Sequence, residues 1–365
     1  MACCSFCKAD PPVTPLKTCV CGGAVYCSKE CQRKDWTNHR ASCHLFTVRE
    51  IPGKGRGLFA TRKINPGKII LEEGPLLTMK DTIVSTRVSL DVFERFYLPT
   101  IDGQTKARIL QLHDPVDNFE HLTSEKVDID QLIKENPDFF ELFPSSDESC
   151  KILRIFANNC ITVCQGSDEV AIYSQMSLIN HSCDPNVSWT RVRGDVKRKQ
   201  VRAMKVIEKG EELLATYGLP NFASRDSRQR RLLSSHQFLC QCSQCSLEGE
   251  ALQEDERMRA EIREKKEKIQ SLKNMAANSP HLFISNLKKA VCLSQEVMER
   301  VRKLNLQPQI FHNLLTTALT EAWFAKKLGL TGPDPDGIKQ EALEFAQKFG
   351  ESAMILYNNI SKDYP

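Results

Sequence analysis

The chain has 365 residues, a formal net charge of +4 and 41% hydrophobic residues, enough for two or three domains and a substantial apolar core. So mild a charge excludes nucleic-acid binding through a bulk basic field, and no apolar run is long enough to span a bilayer. The 16 cysteines lie mostly in tight clusters behind a start, MACCSFCKAD, that lacks the basic and apolar pattern of a secretory signal. That combination points to metal-binding thiols in a reducing compartment, nucleus or cytoplasm.

Residues 1–44 are dense in cysteine and poor in aliphatic side chains, so a domain there needs metal to fold. Over 45–80 the runs FTVREI, GLFAT and KIILEEGPLL read as short strands, divided by the glycine turn GKGRG and by NPGK. Residues 81–157 read as a polar, mostly helical insert, with helical spacing in LDVFERFY, ARILQL and DQLIKEN. Strands return over 158–222, in NCITVC, VAIYSQMSLI, NVSWTRV, QVRAMKVI and ELLATYG. Many short strands with turn signals argue against a doubly wound parallel sheet. A segment at 223–247 ends in a thiol cluster, and everything from 248 to 365 reads as helix. There a charged face, EDERMRAEIREKKEKIQ, precedes apolar stripes at Leu287, Val291, Val301 and Leu304, then Ile310, Leu314, Ala318, Ala322 and Ala325, then Ala342 through Tyr357. Antiparallel helical hairpins are the expected outcome.

The first cysteines come in pairs: Cys4-x2-Cys7, Cys19-x-Cys21, Cys27-x3-Cys31 and His39-x3-Cys43. Eight soft donors suit two tetrahedral zinc ions, because a short loop can aim both members of a pair at one ion. Cys3 is an alternative to Cys4. Further on, Cys240, Cys242 and Cys245 need a fourth ligand, and Cys183 is the candidate. Three other segments carry chemistry. In Gly53-Lys54-Gly55-Arg56-Gly57 the glycines let backbone approach a ligand while Lys54 and Arg56 offer cations. Asn180-His181-Ser182-Cys183-Asp184-Pro185-Asn186 taken alone could be a set of turn formers. Gly210-Glu211-Glu212-Leu213-Leu214-Ala215-Thr216-Tyr217-Gly218 ends in an aromatic strand.

The words YCSKECQRKDWTNHRASC resemble a MYND zinc finger, and NHSCDPN, GEELLATYG and CQCSQC in this order resemble a SET-domain methyltransferase of the SET-and-MYND family. The chain departs from that family in its C-x-C second pair, in having the finger ahead of the glycine loop, and in Arg56 standing where many relatives carry Asn. The resemblance implies an α+β fold: a zinc-bound MYND finger at 1–44, a SET fold of small β-sheets with a knot-like core at 45–80 and 158–222, and a helical insert at 81–157. It implies also a zinc-bound post-SET segment at 223–247 and a helical, tetratricopeptide-like region at 248–365. It further implies interleaved ligation, with Cys4, Cys7, Cys27 and Cys31 on one zinc and Cys19, Cys21, His39 and Cys43 on another. Cys183, Cys240, Cys242 and Cys245 would hold a third.

S-adenosyl-L-methionine is the implied cofactor, contacted by Lys54, Arg56, Gly57, Asn180, His181, Tyr217 and Phe238, with Tyr217 as the catalytic tyrosine. Asn159, Ile161 and Tyr173 would lie near the lysine channel. The implied activity is methyl transfer to lysine of histone or other proteins. The competing reading is a catalytically weak scaffold that recruits proline-rich partners through the finger. Trp36 could stack on such a partner or fill a small core. A monomer is expected, and direct DNA binding is not, because Asp10, Glu30 and Asp35 break up the finger's basic residues.

Overall fold

A computed structural model describes residues 3–8, 16–19, 24–40, 45–80, 101–112, 146–163, 169–302 and 325–349, with isolated positions such as Cys43, Phe96, Asp114, Leu314 and Ala318, less short gaps at 193, 219–221, 237, 279–281 and 331. Cys21, most of the insert and everything after 349 lie outside the described residues, as do Leu304, Ile310 and the end of the third apolar stripe.

The finger is a two-residue hairpin, β1 (Lys17–Thr18) against β2 (Val25–Tyr26), followed by α1 (Lys29–His39). No helix was expected here, because KECQRKDWTNH has no apolar stripe. Ser28 starts it instead, its hydroxyl accepting the Cys31 N–H at 3.1 Å. The buried cluster is Cys4, Cys19, Ala24, Tyr26 and Cys43, so thiols make up most of the interior.

Two hairpin strands follow, β3 (Phe46–Ile51) and β4 (Gly55–Ala60), paired from Phe46↔Ala60 to Ile51↔Gly55. Their turn passes through Gly53 and Gly55 at φ of 72° and 73°, a left-handed conformation that glycine adopts without strain. β5 (Ile69–Glu73) forms the edge of an antiparallel sheet in the order β10-β11-β5, with β10 at Val187–Val192 and β11 at Asp195–Ala203. β6 (Leu77–Lys80), β7 (Cys160–Thr162) and β8 (Glu169–Ile172) form a sheet ordered β6-β8-β7. The parallel pair is the exception: β9 (Asn180–His181) lies beside β12 (Leu214–Ala215), in register Leu214↔Asn180 and Ala215↔His181.

Leu58, Ile70, Val187, Val201, Ala203 and Leu213 belong to one buried cluster between these small sheets. A second cluster, including Met79, Ile109, Ile155, Phe156 and Ile172, sits where α2 (Gly103–Leu110) and α3 (Ser146–Asn159) meet the β6-β8-β7 sheet.

The run VAIYSQMSLI is not one strand. β8 stops at Ile172, and a 3-10 turn forms at Met176–Leu178. The Glu73 carboxylate, reaching from β5, accepts the N–H groups of Gln175 and Met176 at 2.9–3.0 Å and so satisfies the turn's free donors. A helix absent from the sequence reading, α4 (Arg225–His236), precedes the last thiols. Only Arg228 and Leu232 are buried on it, which leaves no visible apolar period. The tail is helical as expected: α5 (Gly249–Asn278) packs on α6 (Phe283–Val301), with Ile262, Ile269, Ala290, Val297 and Val301 between them, and α7 (Pro335–Phe349) follows. Among the described residues no helix is long and apolar enough to cross a membrane.

Candidate active site and zinc centres

The thiols gather as the resemblance implied. Cys4, Cys7, Cys27 and Cys31 form one group, and Cys183, Cys240, Cys242 and Cys245 another. Cys19, His39 and Cys43 form a third, and within each group the ligand atoms lie within 4.8 Å of one another. Cys3 joins none of them, and Cys21 is outside the described residues. Sulfurs sharing a tetrahedral zinc at about 2.3 Å should stand roughly 3.8 Å apart. The separations are 3.6 Å for Cys7 and Cys27, 3.8 Å for Cys19 and Cys43, and 3.5 Å for Cys183 and Cys245. His39 Nε2 lies 3.2 Å from Cys19 Sγ. Donor type and spacing both fit zinc. α1 carries Cys31 in its first turn and His39 in its last, so one short helix serves both finger ions.

The third centre has a buried counter-charge that the sequence reading missed. Arg228 on α4 points Nη2 at Cys245 Sγ, 3.9 Å away, and donates through Nη1 to Ala223 O. Burial by itself would lower the guanidinium pKa, but the sulfurs of Cys183 and Cys245 hold it raised. A zinc with four thiolates carries excess negative charge, and a buried guanidinium offsets it.

The zinc hook is tied to Tyr217 through His181. The Tyr217 N–H donates to His181 Nδ1 at 3.0 Å, so the imidazole hydrogen sits on Nε2, which faces Cys183 Sγ at 3.4 Å. The Tyr217 hydroxyl donates to Ile179 O at 2.8 Å, and burial and then the Glu212 charge raise its pKa, so it stays a phenol. Asn180 donates through Nδ2 to Arg56 O at 3.0 Å and to Glu212 Oε1 at 2.8 Å. Asn186 clamps β12, donating to Glu212 O and accepting the Leu214 N–H. The residues taken alone as turn formers are thus the cross-links that hold β9 against β12.

Four rings close around this point. His181 stands 5.2 Å from Tyr217 and 5.9 Å from Phe238, and His236 stands 4.9 Å from Tyr217 and 6.4 Å from Phe238. Tyr217, His236 and Phe238 are each part-buried and keep some exposed surface.

A SET domain family model matches residues 55–218 and a MYND finger model matches residues 4–43. The chain carries both modules of the SET-and-MYND family. It is 29% identical over 264 residues to histone-lysine N-methyltransferase SMYD3 of Mus musculus, covering 69% of this chain and 54% of that protein. It is 28% identical over 257 residues to N-lysine methyltransferase SMYD2 of Bos taurus, covering 67% and 50%. The chain thus spans about half the length of these relatives.

In this SET-and-MYND protein the glycine loop does something the sequence reading did not foresee. A Cβ on Gly57 would meet Glu212 Oε1 and Ile51 Cδ1 at 2.7 Å and Asn180 Nδ2 at 3.0 Å. Gly57 therefore makes room for the Asn180 and Glu212 side chains themselves, whatever ligand lies nearby. Lys54 is exposed, and Arg56 is turned toward the insert, where its Nη2 donates to Gln111 O. The three channel candidates are engaged in the fold: Asn159 donates to Ile155 O, Ile161 packs on the core, and the buried Tyr173 donates to Lys197 O. Sequence reasoning passed over His236 and Glu212. The second lies inside GEEL, but the first stands in a helix end with no motif around it.

Proposed function

We propose that this chain transfers a methyl group from S-adenosylmethionine to a lysine side chain of a protein. The observation that carries the reading is the ring cluster: Tyr217 held beside His181 and Phe238 by the β9–β12 pair, in a chain matched by a SET domain over 55–218. S-adenosylmethionine supplies, when bound, a sulfonium methyl that is already electrophilic. The part-exposed rings of Tyr217 and Phe238, with the Glu212 carboxylate behind Asn180, suit a flat base and a positive sulfur.

The protein's task is then to orient a neutral amine and exclude water. A lysine amine has a pKa of about 10.4 in water, and a narrow apolar approach beside a cation favours its neutral form. The Tyr217 hydroxyl hydrogen is committed to Ile179 O, which leaves its oxygen lone pairs to accept an amine N–H. Lys54, Arg56, Gly57, Asn180, His181 and Phe238 complete the cofactor site in this reading, with Tyr217 as the catalytic residue.

We infer also that the finger docks proline-rich segments. Its exposed Phe6 and Trp36 are the aromatic surface such ligands use. A monomer in nucleus and cytoplasm completes the proposal.

Calorimetric titration of the zinc-loaded chain with S-adenosylmethionine is the first test, followed by methylation of a total protein extract with the lysine located by mass spectrometry. A folded chain with full zinc that binds no S-adenosylmethionine overturns the enzyme reading in favour of a scaffold. Tyr217→Phe with undiminished transfer removes the role given to its hydroxyl.

A further inference from the structure

The C-terminal end of α4 brings a second imidazole against the Tyr217 ring. Its hydrogens can be counted. Ser235 Oγ donates its one hydrogen to Arg231 O at 2.7 Å. The same oxygen lies 2.7 Å from His236 Nδ1, so in that contact it accepts, and the hydrogen belongs to Nδ1. His236 Nε2 therefore carries a lone pair. The tautomer is opposite to that of His181, whose Nδ1 accepts the Tyr217 N–H. Burial foremost, with the Arg231 charge nearby, pushes His236 down to about 4, so it is neutral at physiological pH. A neutral ring does not repel a cationic ligand. So low a basicity also makes it a poor proton acceptor, and it acts through hydrogen bonding.

We propose that His236 positions the target amine, its Nε2 accepting one N–H of the lysine while Tyr217 Oη accepts the other. This deepens the methyltransferase reading and rests on it. A neutral primary amine has two N–H donors and one lone pair. Two acceptors that hold both donors leave the lone pair free to face the methyl group. A methylated lysine has fewer N–H groups and uses fewer of these contacts. Transfer is therefore fastest to unmodified lysine, and that preference depends on His236.

The test uses the full zinc-loaded chain as wild type, His236→Gln, which keeps an acceptor near the Nε2 position, and His236→Phe, which keeps the ring without one. All three should bind S-adenosylhomocysteine alike by calorimetry and hold equal zinc. Against a total protein extract, His236→Phe should lose about tenfold in initial rate, the worth of one hydrogen bond, with His236→Gln between it and wild type. His236→Phe should also lose the preference for unmodified over monomethylated lysine. Without any substrate, nitrogen NMR of the histidines should find hydrogen on Nδ1 of His236 and on Nε2 of His181. Wild type that binds no S-adenosylhomocysteine, or binds it and methylates nothing, overturns the parent reading and the proposal with it. Wild type that methylates, with an unchanged rate and product pattern in His236→Phe, overturns the proposal alone. A hydrogen on His236 Nε2 does the same.

Discussion

The finger and the SET core solve the same problem with different materials. Among its described residues the finger buries Cys4, Cys19, Ala24, Tyr26, His39 and Cys43, so that interior is made largely of the groups that hold metal. The SET core buries Leu58, Ile70, Val187, Val201 and Leu213 between small sheets and can be held by burial of apolar surface. One region should depend on zinc for its existence, the other on packing. The third zinc centre stands between these cases: its thiols lie outside the sheet core's buried cluster, but Cys183, His181 and Tyr217 are linked in series, so it positions the site.

The sharpest contrast is chelation. Stripping zinc should remove roughly 10 kcal/mol or more from the finger and unfold it. Amide exchange should then become fast over α1 while β10 and β11 remain protected. Protection persisting over α1 in metal-free protein would mean that packing holds the finger after all. Next in size is Leu58→Ala, which should cost about 2–5 kcal/mol by denaturant unfolding because Leu58 is fully buried among sheet residues. The finger's zinc content should not change. A loss below 1 kcal/mol would mean that the core is loose. Smaller again, Ser28→Ala removes the cap of α1 and should cost about 1 kcal/mol, read as faster zinc release to a competing chelator, with the SET core's unfolding unchanged.

A different kind of effect concerns pH. Burial pushes Glu73 from 4.5 up to about 7, against the lowering effect of the Met176 and Gln175 N–H groups. The raised value means that the folded state favours the protonated form. Its contribution is complete below 4.5 and is lost as pH rises through about 7. Glu73→Gln cannot titrate, so the stability of wild type relative to this variant should fall across that window and level off above it. A flat or rising difference would show that Glu73 is ionised without penalty.

Much of this was legible along the chain. FTVREI became β3 at Phe46–Ile51 without adjustment, and GLFAT closed its hairpin, because alternation and glycine turns are local signals. The interleaved thiol groups followed from paired spacing and the family resemblance. α4 was not legible, since its partners are a zinc centre and the body of α5: Arg225 donates to Glu256 Oε1 and to Leu247 O rather than to an apolar face. The break after Ile172 was hidden for a similar reason, its cause being a carboxylate about a hundred residues earlier in the chain.

Sequence alone determined which residues could bind metal, where the short strands lie and which family the chain resembles, because those depend on residue type and near spacing. Only the tertiary structure decided what Gly57 makes room for, which hydrogen each imidazole carries and that His236 meets Tyr217. Those outcomes depend on distances between segments far apart along the chain, which folding alone brings together.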